Sequence, residues 1–130
     1  MISEGDLKSI EEFCRSSHVI VAAYVFGSSA TGKDRCGSDI DIAIMTRGSM
    51  DGFERVRLET ILSNVLGKDV DLVLFGRASP LLQHQMLKYG RLVYEANPKE
   101  RVRQETAARR QYLDSLFLYR MIGKDKAHGG

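Results

Sequence analysis

Gly27-Ser28-Ser29-Ala30-Thr31-Gly32 and, after a short spacer, Ser38-Asp39-Ile40-Asp41-Ile42-Ala43-Ile44-Met45 are the stretch around which this chain is organised. An apolar run, VIVAAYVF at residues 19–26, leads into it. Two acids separated by one residue open a segment that is otherwise Ile, Ala and Met. In a strand, alternate side chains share a face, so Asp39 and Asp41 project together with Cα atoms about 7 Å apart. Carboxylates held that close repel each other, and each is costly to desolvate. A divalent cation bound by oxygen ligands relieves both problems. The preceding Gly-Ser turn supplies backbone N–H groups and a hydroxyl, which is what phosphate oxygens require. The stretch reads as a metal–nucleotide site.

With 130 residues the chain is expected to form one domain over residues 1–123, large enough for a real core, followed by a disordered tail at 124–130. Apolar residues make up 43% and charged residues 28%, which is ordinary for a water-soluble globular protein. No apolar run approaches the roughly 20 residues of a membrane span. Glu4 and Asp6 close behind Met1 do not suit a signal or transit peptide. Cys14 and Cys36 lack metal-ligand spacing, so reduced thiols in a cytoplasm are expected. The net charge of +2 does not call for direct nucleic-acid binding. Between Lys99 and Lys126, however, eight basic residues face four acidic ones, which concentrates positive charge near the C-terminus.

Ser3 can cap a first helix whose apolar stripe is Leu7, Ile10, Phe13 and Cys14. Residues 19–26 are apolar on both faces and rich in β-branched side chains, as in a buried strand. Residues 27–37 form a loop and residues 40–45 a second strand. Ser49 is the expected cap of a helix reaching about Leu66, with Phe53, Val56, Ile61, Leu62 and Val65 on its buried side. Gly67 stops it. Residues 69–75 (DVDLVLF) form a third strand. Ser79-Pro80 starts a helix, a capping residue followed by proline at the first helical position, and Gly90 closes it. Residues 91–95 read as a short edge strand. Asn97-Pro98 then opens a long helix expected to end near Ile122, with Gly123 as its stop.

The strand at 40–45, the helix after it and the strand at 70–75 make a β-α-β unit, whose strands run parallel with a right-handed crossover. Both therefore begin at the same end of the sheet, with Asp39 and Asp41 on one, Asp69 and Asp71 on the other. The first strand must deliver Gly27-Ser28 to that end, which requires it to run antiparallel to its successor. The fold class is thus α/β (α+β), a small mixed sheet of about four strands flanked by helices and carrying a long C-terminal helix. A lone Asp-x-Asp is usually a turn or cap, and a lone Gly-Ser is common loop chemistry. Their joint order and spacing carry the functional reading.

These residues resemble the signature of the nucleotidyltransferase superfamily built on the DNA polymerase β-type palm. The signature is Gly-Ser, a spacer, Asp-x-Asp and a third Asp on a neighbouring strand, standing here as Gly27-Ser28, Asp39-Ile40-Asp41 and Asp71. Gly-Ser-x-Ala-Thr-Gly followed by Ser-Asp-Ile-Asp is similar to the minimal nucleotidyltransferase (MNT) branch. So are Ser79-Pro80-Leu81-Leu82 and Gly90-Arg91-Leu92-Val93-Tyr94-Glu95 with a basic terminal helix after them.

The resemblance implies the antitoxin of a type VII-like toxin–antitoxin pair. Such an antitoxin transfers AMP from ATP to a tyrosine of a HEPN-domain toxin. It implies Asp39, Asp41 and Asp71 as catalytic residues and ligands of two Mg²⁺ ions, and Gly27, Ser28, Ser29 and Ser38 as nucleotide contacts. Many relatives carry Arg where this chain has Thr31, which leaves Lys33 or Arg35 to supply that charge. Two metal ions about 3.5–4 Å apart suit in-line attack on phosphorus, and Asp71 stands where a base could take the acceptor proton. The rival reading is a non-catalytic MNT module that neutralises its partner by occlusion alone. Antibiotic nucleotidyltransferases and template-dependent polymerases are not expected, because 130 residues leave no room for their additional domains. The segment YLDSLFLYRMI at 112–122 is apolar nearly all round, more than one small sheet can cover, and is expected to bind a partner or a second copy.

Overall fold

The computed structural model describes residues 2–26 and 40–129, and of residues 123–129 the backbone course alone. The first helix, α1 (Glu4–Arg15), starts at Ser3, whose hydroxyl accepts from the Asp6 N–H at 3.1 Å. Glu4 and Asp6 place negative charge at its positive end. The strands are β1 (Ile20–Phe26), β2 (Ile40–Thr46), β3 (Val70–Leu74) and β4 (Arg91–Glu95). Between and after them lie α2 (Gly52–Leu66), α3 (Pro80–Tyr89) and α4 (Pro98–Gly129).

The four strands form one sheet in the order β3-β2-β1-β4. β1 is antiparallel to both its neighbours, and β2 and β3 are parallel, as the β-α-β reading requires. The period-2 alternation sorts side chains onto two faces. Ile40, Ile42, Ile44, Val70, Leu72 and Leu74 meet Ile10 and Cys14 of α1 and the leucines of α2. On the other face Val21, Tyr24, Ala43 and Met45 pack with Phe75, Met86 of α3 and Ala108 of α4. Burial pushes the Cys14 thiol up to about 12.

Two expectations are corrected. Helix α2 is capped by Asp51, which accepts from the Glu54 N–H at 2.8 Å, and begins at Gly52 rather than after Ser49. Its buried stripe is Leu58, Leu62 and Leu66, while Phe53 is 91% exposed and Val56 and Val65 also face out. Leucines four apart stack along one side. At 3.6 residues per turn Phe53 falls about 180° from Leu62, so both cannot face the sheet. Gly67 ends this helix as expected, in the left-handed region at φ 65°.

The terminal helix differs too. It runs to Gly129, past the expected end at Ile122 and through the residues expected to form a tail. A glycine inside a helix costs about 1 kcal/mol relative to alanine but does not stop it unless the chain turns left-handed there.

Side chains of α2 close the open edge of β3. Glu59 accepts from the Leu72 N–H at 2.8 Å, Arg55 donates to the Leu72 carbonyl at 3.1 Å, and Ser63 accepts from the Val70 N–H at 3.1 Å. An uncovered edge strand is a template for pairing with another chain, and these bonds remove the template. At the opposite edge, α3 passes into β4 through Gly90. A Cβ there would lie 2.2 Å from the Met86 carbonyl oxygen, so no other residue fits without moving backbone.

Helix α4 is pinned to the sheet by a buried polar cluster. Tyr24 on β1 donates its hydroxyl to Glu105, and Arg101 bonds Glu105 at 2.8 Å and also pairs with Glu95 at the end of β4. Tyr24 and Glu105 are both buried. Beyond Ala108 the helix departs from the sheet, its last described contact being Tyr112 stacked on His84 of α3, centroids 3.8 Å apart.

Candidate functional site

The end of the sheet where β2 and β3 begin carries the acids. In the parallel ladder Asp41 lies directly beside Asp71, with Ile40 beside Val70 before it and Ile42 beside Leu72 after it. The Ile40 N–H donates to the Asp69 carbonyl at 2.9 Å, which continues the ladder to the very start of both strands. Asp41 alternates with Ala43 and Met45, and Asp71 with Val73, so both carboxylates are on the sheet face that α3 and α4 cover. Asp41 is half-buried, whereas Asp69 and Asp71 are exposed. Phe26, the last residue of β1, lies opposite Asp41 in the antiparallel ladder. β1 therefore ends at the end of the sheet where β2 and β3 start.

Adjacent strands are about 4.8 Å apart. Beyond Asp41, β2 is otherwise filled with Ile, Ala and Met up to Thr46. Hard oxygen donors side by side on one face, one half-buried and one exposed, are a donor set suited to Mg²⁺. Among the described residues no third carboxylate, His or Cys joins them in one cluster.

The remaining expected site residues lie outside the described residues: Gly27, Ser28, Ser29, Ser38 and Asp39, together with Thr31, Lys33 and Arg35. What the tertiary structure contributes is the adjacency of Asp41 and Asp71, thirty residues apart in the chain.

Sequence reasoning missed the basic residues close to Asp71. A cavity of about 450 Å³ beside it is lined by Arg55 of α2, Arg77 of the short 3-10 turn at Phe75–Arg77, and Ser79 at the start of α3. The Arg55-x-x-x-Glu59 spacing was readable as a helical ion pair, which is observed at 3.1 Å. Nothing in the sequence pattern pointed to Arg77 as a lining residue of the same cavity.

The long helix presents its apolar residues as the sequence implied. Leu113, Phe117, Leu118, Tyr119, Met121 and Ile122 are all more than half exposed, a contiguous surface in the distal part of α4. No helix among the described residues is long and apolar enough to cross a membrane.

Comparison with known proteins agrees with this architecture. The family model described as polymerase beta nucleotidyltransferase matches residues 8–99. The protein adenylyltransferase MntA of Shewanella oneidensis is 37% identical over 71 residues, 55% of this chain and 51% of that protein. The match thus spans about half the length of that relative. Among solved structures, a toxin–antitoxin complex with AMP-PNP superimposes with a TM-score of 0.80 at 25% identity, covering 93% of this chain and 98% of that one. A tri-AMPylated HEPN toxin of Shewanella oneidensis in complex with its MNT antitoxin gives a TM-score of 0.77 over 97% of this chain and 99% of that one. At 23% identity that likeness shows the fold alone.

Proposed function

The chain belongs to the polymerase beta nucleotidyltransferase family, and we propose that it is a Mg²⁺-dependent protein adenylyltransferase acting as the antitoxin of a HEPN-domain toxin. In this reading it moves AMP from ATP to a tyrosine hydroxyl of that toxin. The observation that carries the proposal is the side-by-side placement of Asp41 and Asp71 at the open end of β2 and β3. Nucleotidyl transfer needs paired carboxylates to hold the divalent metal ions that act on the phosphate oxygens.

Asp41 and Asp71, with Asp39 two residues before Asp41 in the chain, would hold the metal. Bound there, Mg²⁺ supplies charge neutralisation for the phosphate oxygens. Asp71, the exposed member of the pair, would accept the proton of the incoming hydroxyl. Gly27, Ser28, Ser29 and Ser38 are assigned to the triphosphate, and pyrophosphate leaves. The apolar distal half of α4 is the surface for the toxin partner, and a second copy is the competing occupant.

Support for the chemistry comes from the similar proteins, one a protein adenylyltransferase and one a toxin–antitoxin structure with AMP-PNP. The test is transfer of label from α-³²P-ATP to a co-purified toxin partner with Mg²⁺. Asp41→Asn is expected to abolish labelling while the circular dichroism spectrum and the complex persist. A wild-type protein that protects against the toxin without labelling it would instead establish neutralisation by binding alone. Labelling retained by Asp41→Asn would refute the site.

A further inference from the structure

We propose that the outer edge of β4, with α1 beside it, is a two-fold interface through which two copies of this chain join their sheets. The proposal does not depend on the transfer reaction. β4 ends the strand order β3-β2-β1-β4, and among the described residues β1 is its one strand partner. The two edges of the sheet differ. Glu59, Arg55 and Ser63 of α2 cover the backbone of β3, whereas among the described residues no side chain bonds to the backbone of β4. An open edge of this kind is a template for a further strand, and Leu92 on it is 40% exposed.

The order of charges says which strand fits. Residues 91–95 read Arg-Leu-Val-Tyr-Glu. An antiparallel pair centred on Val93 sets Arg91 of one copy opposite Glu95 of the other, Leu92 opposite Tyr94, and Val93 opposite itself. Opposite charges facing across strands stabilise a pair and like charges destabilise it, which rules out the parallel alternative of Arg91 on Arg91. Glu95 already bonds Arg101 of its own chain, and the second Arg91 adds a further cation to it.

Helix α1 repeats the pattern. It runs beside β4 in the same direction: Glu4, Leu7 and Lys8 share a groove of about 330 Å³ with Arg91, and Arg15 shares one of about 570 Å³ with Tyr94 and Glu95. Glu11, Leu92 and Val93 line both grooves, so an axis at Val93 passes close to the middle of the helix. The charges that α1 brings to the grooves alternate as Glu4, Lys8, Glu11 and Arg15. The same two-fold turns α1 antiparallel to its copy, with Glu4 facing Arg15 and Lys8 facing Glu11. Arg15 and Glu11 also pair within the helix, but both are exposed, so that pair contributes little to the monomer and can be shared across the axis. α1 lies against both β4 and β1. With strands about 4.8 Å apart and the axis midway between the two β4 strands, its copy falls about 10 Å away, a packing distance for two helices. Asp41 and Asp71 lie on strands beyond β1, so the joined sheet leaves both acid pairs clear of the strand contact.

The test is the mass of the full chain in solution by sedimentation equilibrium. At tens of micromolar the wild type is expected to be a dimer, twice the 14.6 kDa of one chain. Lys8→Glu and Glu11→Lys each set like charges across the axis, twice per dimer, and each should weaken association tenfold or more. Mixed in equal amounts, the two variants regain both opposite-charge pairs in a heterodimer, which should form with about the wild-type affinity. Rescue on mixing excludes misfolding as the cause of the single defects. Phe117→Asp should leave the dimer intact. A dimer indifferent to both reversals, or no heterodimer on mixing, overturns the interface. So does a dimer that Phe117→Asp dissociates, because the distal part of α4 would then join the copies. A monomeric wild type also overturns it and leaves the β4 edge to a strand of a different protein.

Discussion

Replacing Tyr24 with phenylalanine tests what holds the long helix α4 to the sheet. The hydroxyl is buried and donates to Glu105, a carboxylate that is itself buried and shared with Arg101. Burial first, and then the Glu105 carboxylate beside it, hold the Tyr24 hydroxyl protonated well beyond its ordinary range. A hydrogen bond to a charged group contributes about 1.5–3 kcal/mol. Glu105 keeps its 2.8 Å bond from Arg101 in the variant, which places the expected loss at the low end, about 1.5 kcal/mol. Glu105→Leu should cost more, about 3 kcal/mol, since it strands the Tyr24 hydroxyl and removes one of the carboxylates paired with Arg101. For a domain of this size each kcal/mol moves Tm by about 4 °C, so the two variants should fall by about 6 and about 12 °C. Urea and thermal unfolding followed by circular dichroism give both numbers. The double variant should lose less than the sum by about 1 kcal/mol or more, because the stranded hydroxyl is already gone. A Tyr24→Phe loss below about 0.5 kcal/mol, or strict additivity, would refute the role assigned to this cluster.

Three further outcomes are expected. Arg103 donates to both oxygens of Glu100, and that hydrogen bonding first, with Gln104 next, brings its carboxyl down to about 2. The contribution of this pair is therefore present above the ordinary carboxylate range and is lost as pH falls toward 2. Carboxyl ¹³C titration by NMR should show this midpoint in the wild type and an ordinary one in Arg103→Gln. In a Cys36→Ser background, Cys14 should resist a thiol reagent at pH 8 in the folded state and react at once in urea, because its thiol is buried and pushed up to about 12. Rapid native labelling would contradict its placement on the buried face of α1. Phe117→Asp should leave stability within about 0.5 kcal/mol, since that ring is 65% exposed, yet abolish co-purification with the proposed toxin partner. Unimpaired co-purification would move the interface elsewhere.

Much of the architecture was legible because each element is marked locally. Ser3, Ser79-Pro80 and Gly67 announce helix ends, and the β-branched runs at 20–26 and 40–46 announce strands. Helix α2 was misread at its start and on its buried side because Ser49 and Asp51 are equally good caps by chemistry. Its apolar residues, moreover, are spread around the cylinder. Only packing chooses Leu58, Leu62 and Leu66 over Phe53. The end of α4 was misplaced for a related reason, since a single glycine permits a stop without imposing one.

By itself the sequence determined the acids and the handedness of what joins them. Asp39-Ile40-Asp41 and Asp71 are local facts, and a β-α-β unit admits essentially one crossover, so the sharing of one sheet end follows from chain chemistry. Tertiary structure alone decided the register. A slip of one residue would have turned Asp71 to the opposite face, and it is the burial of Ile42, Leu72 and Leu74 against α2 that prevents the slip. It also decided that Arg77 and Asp71 line one cavity and that apolar residues of the distal part of α4 are exposed. No local pattern encodes either, because both depend on where the sheet ends rather than on what precedes or follows each residue in the chain.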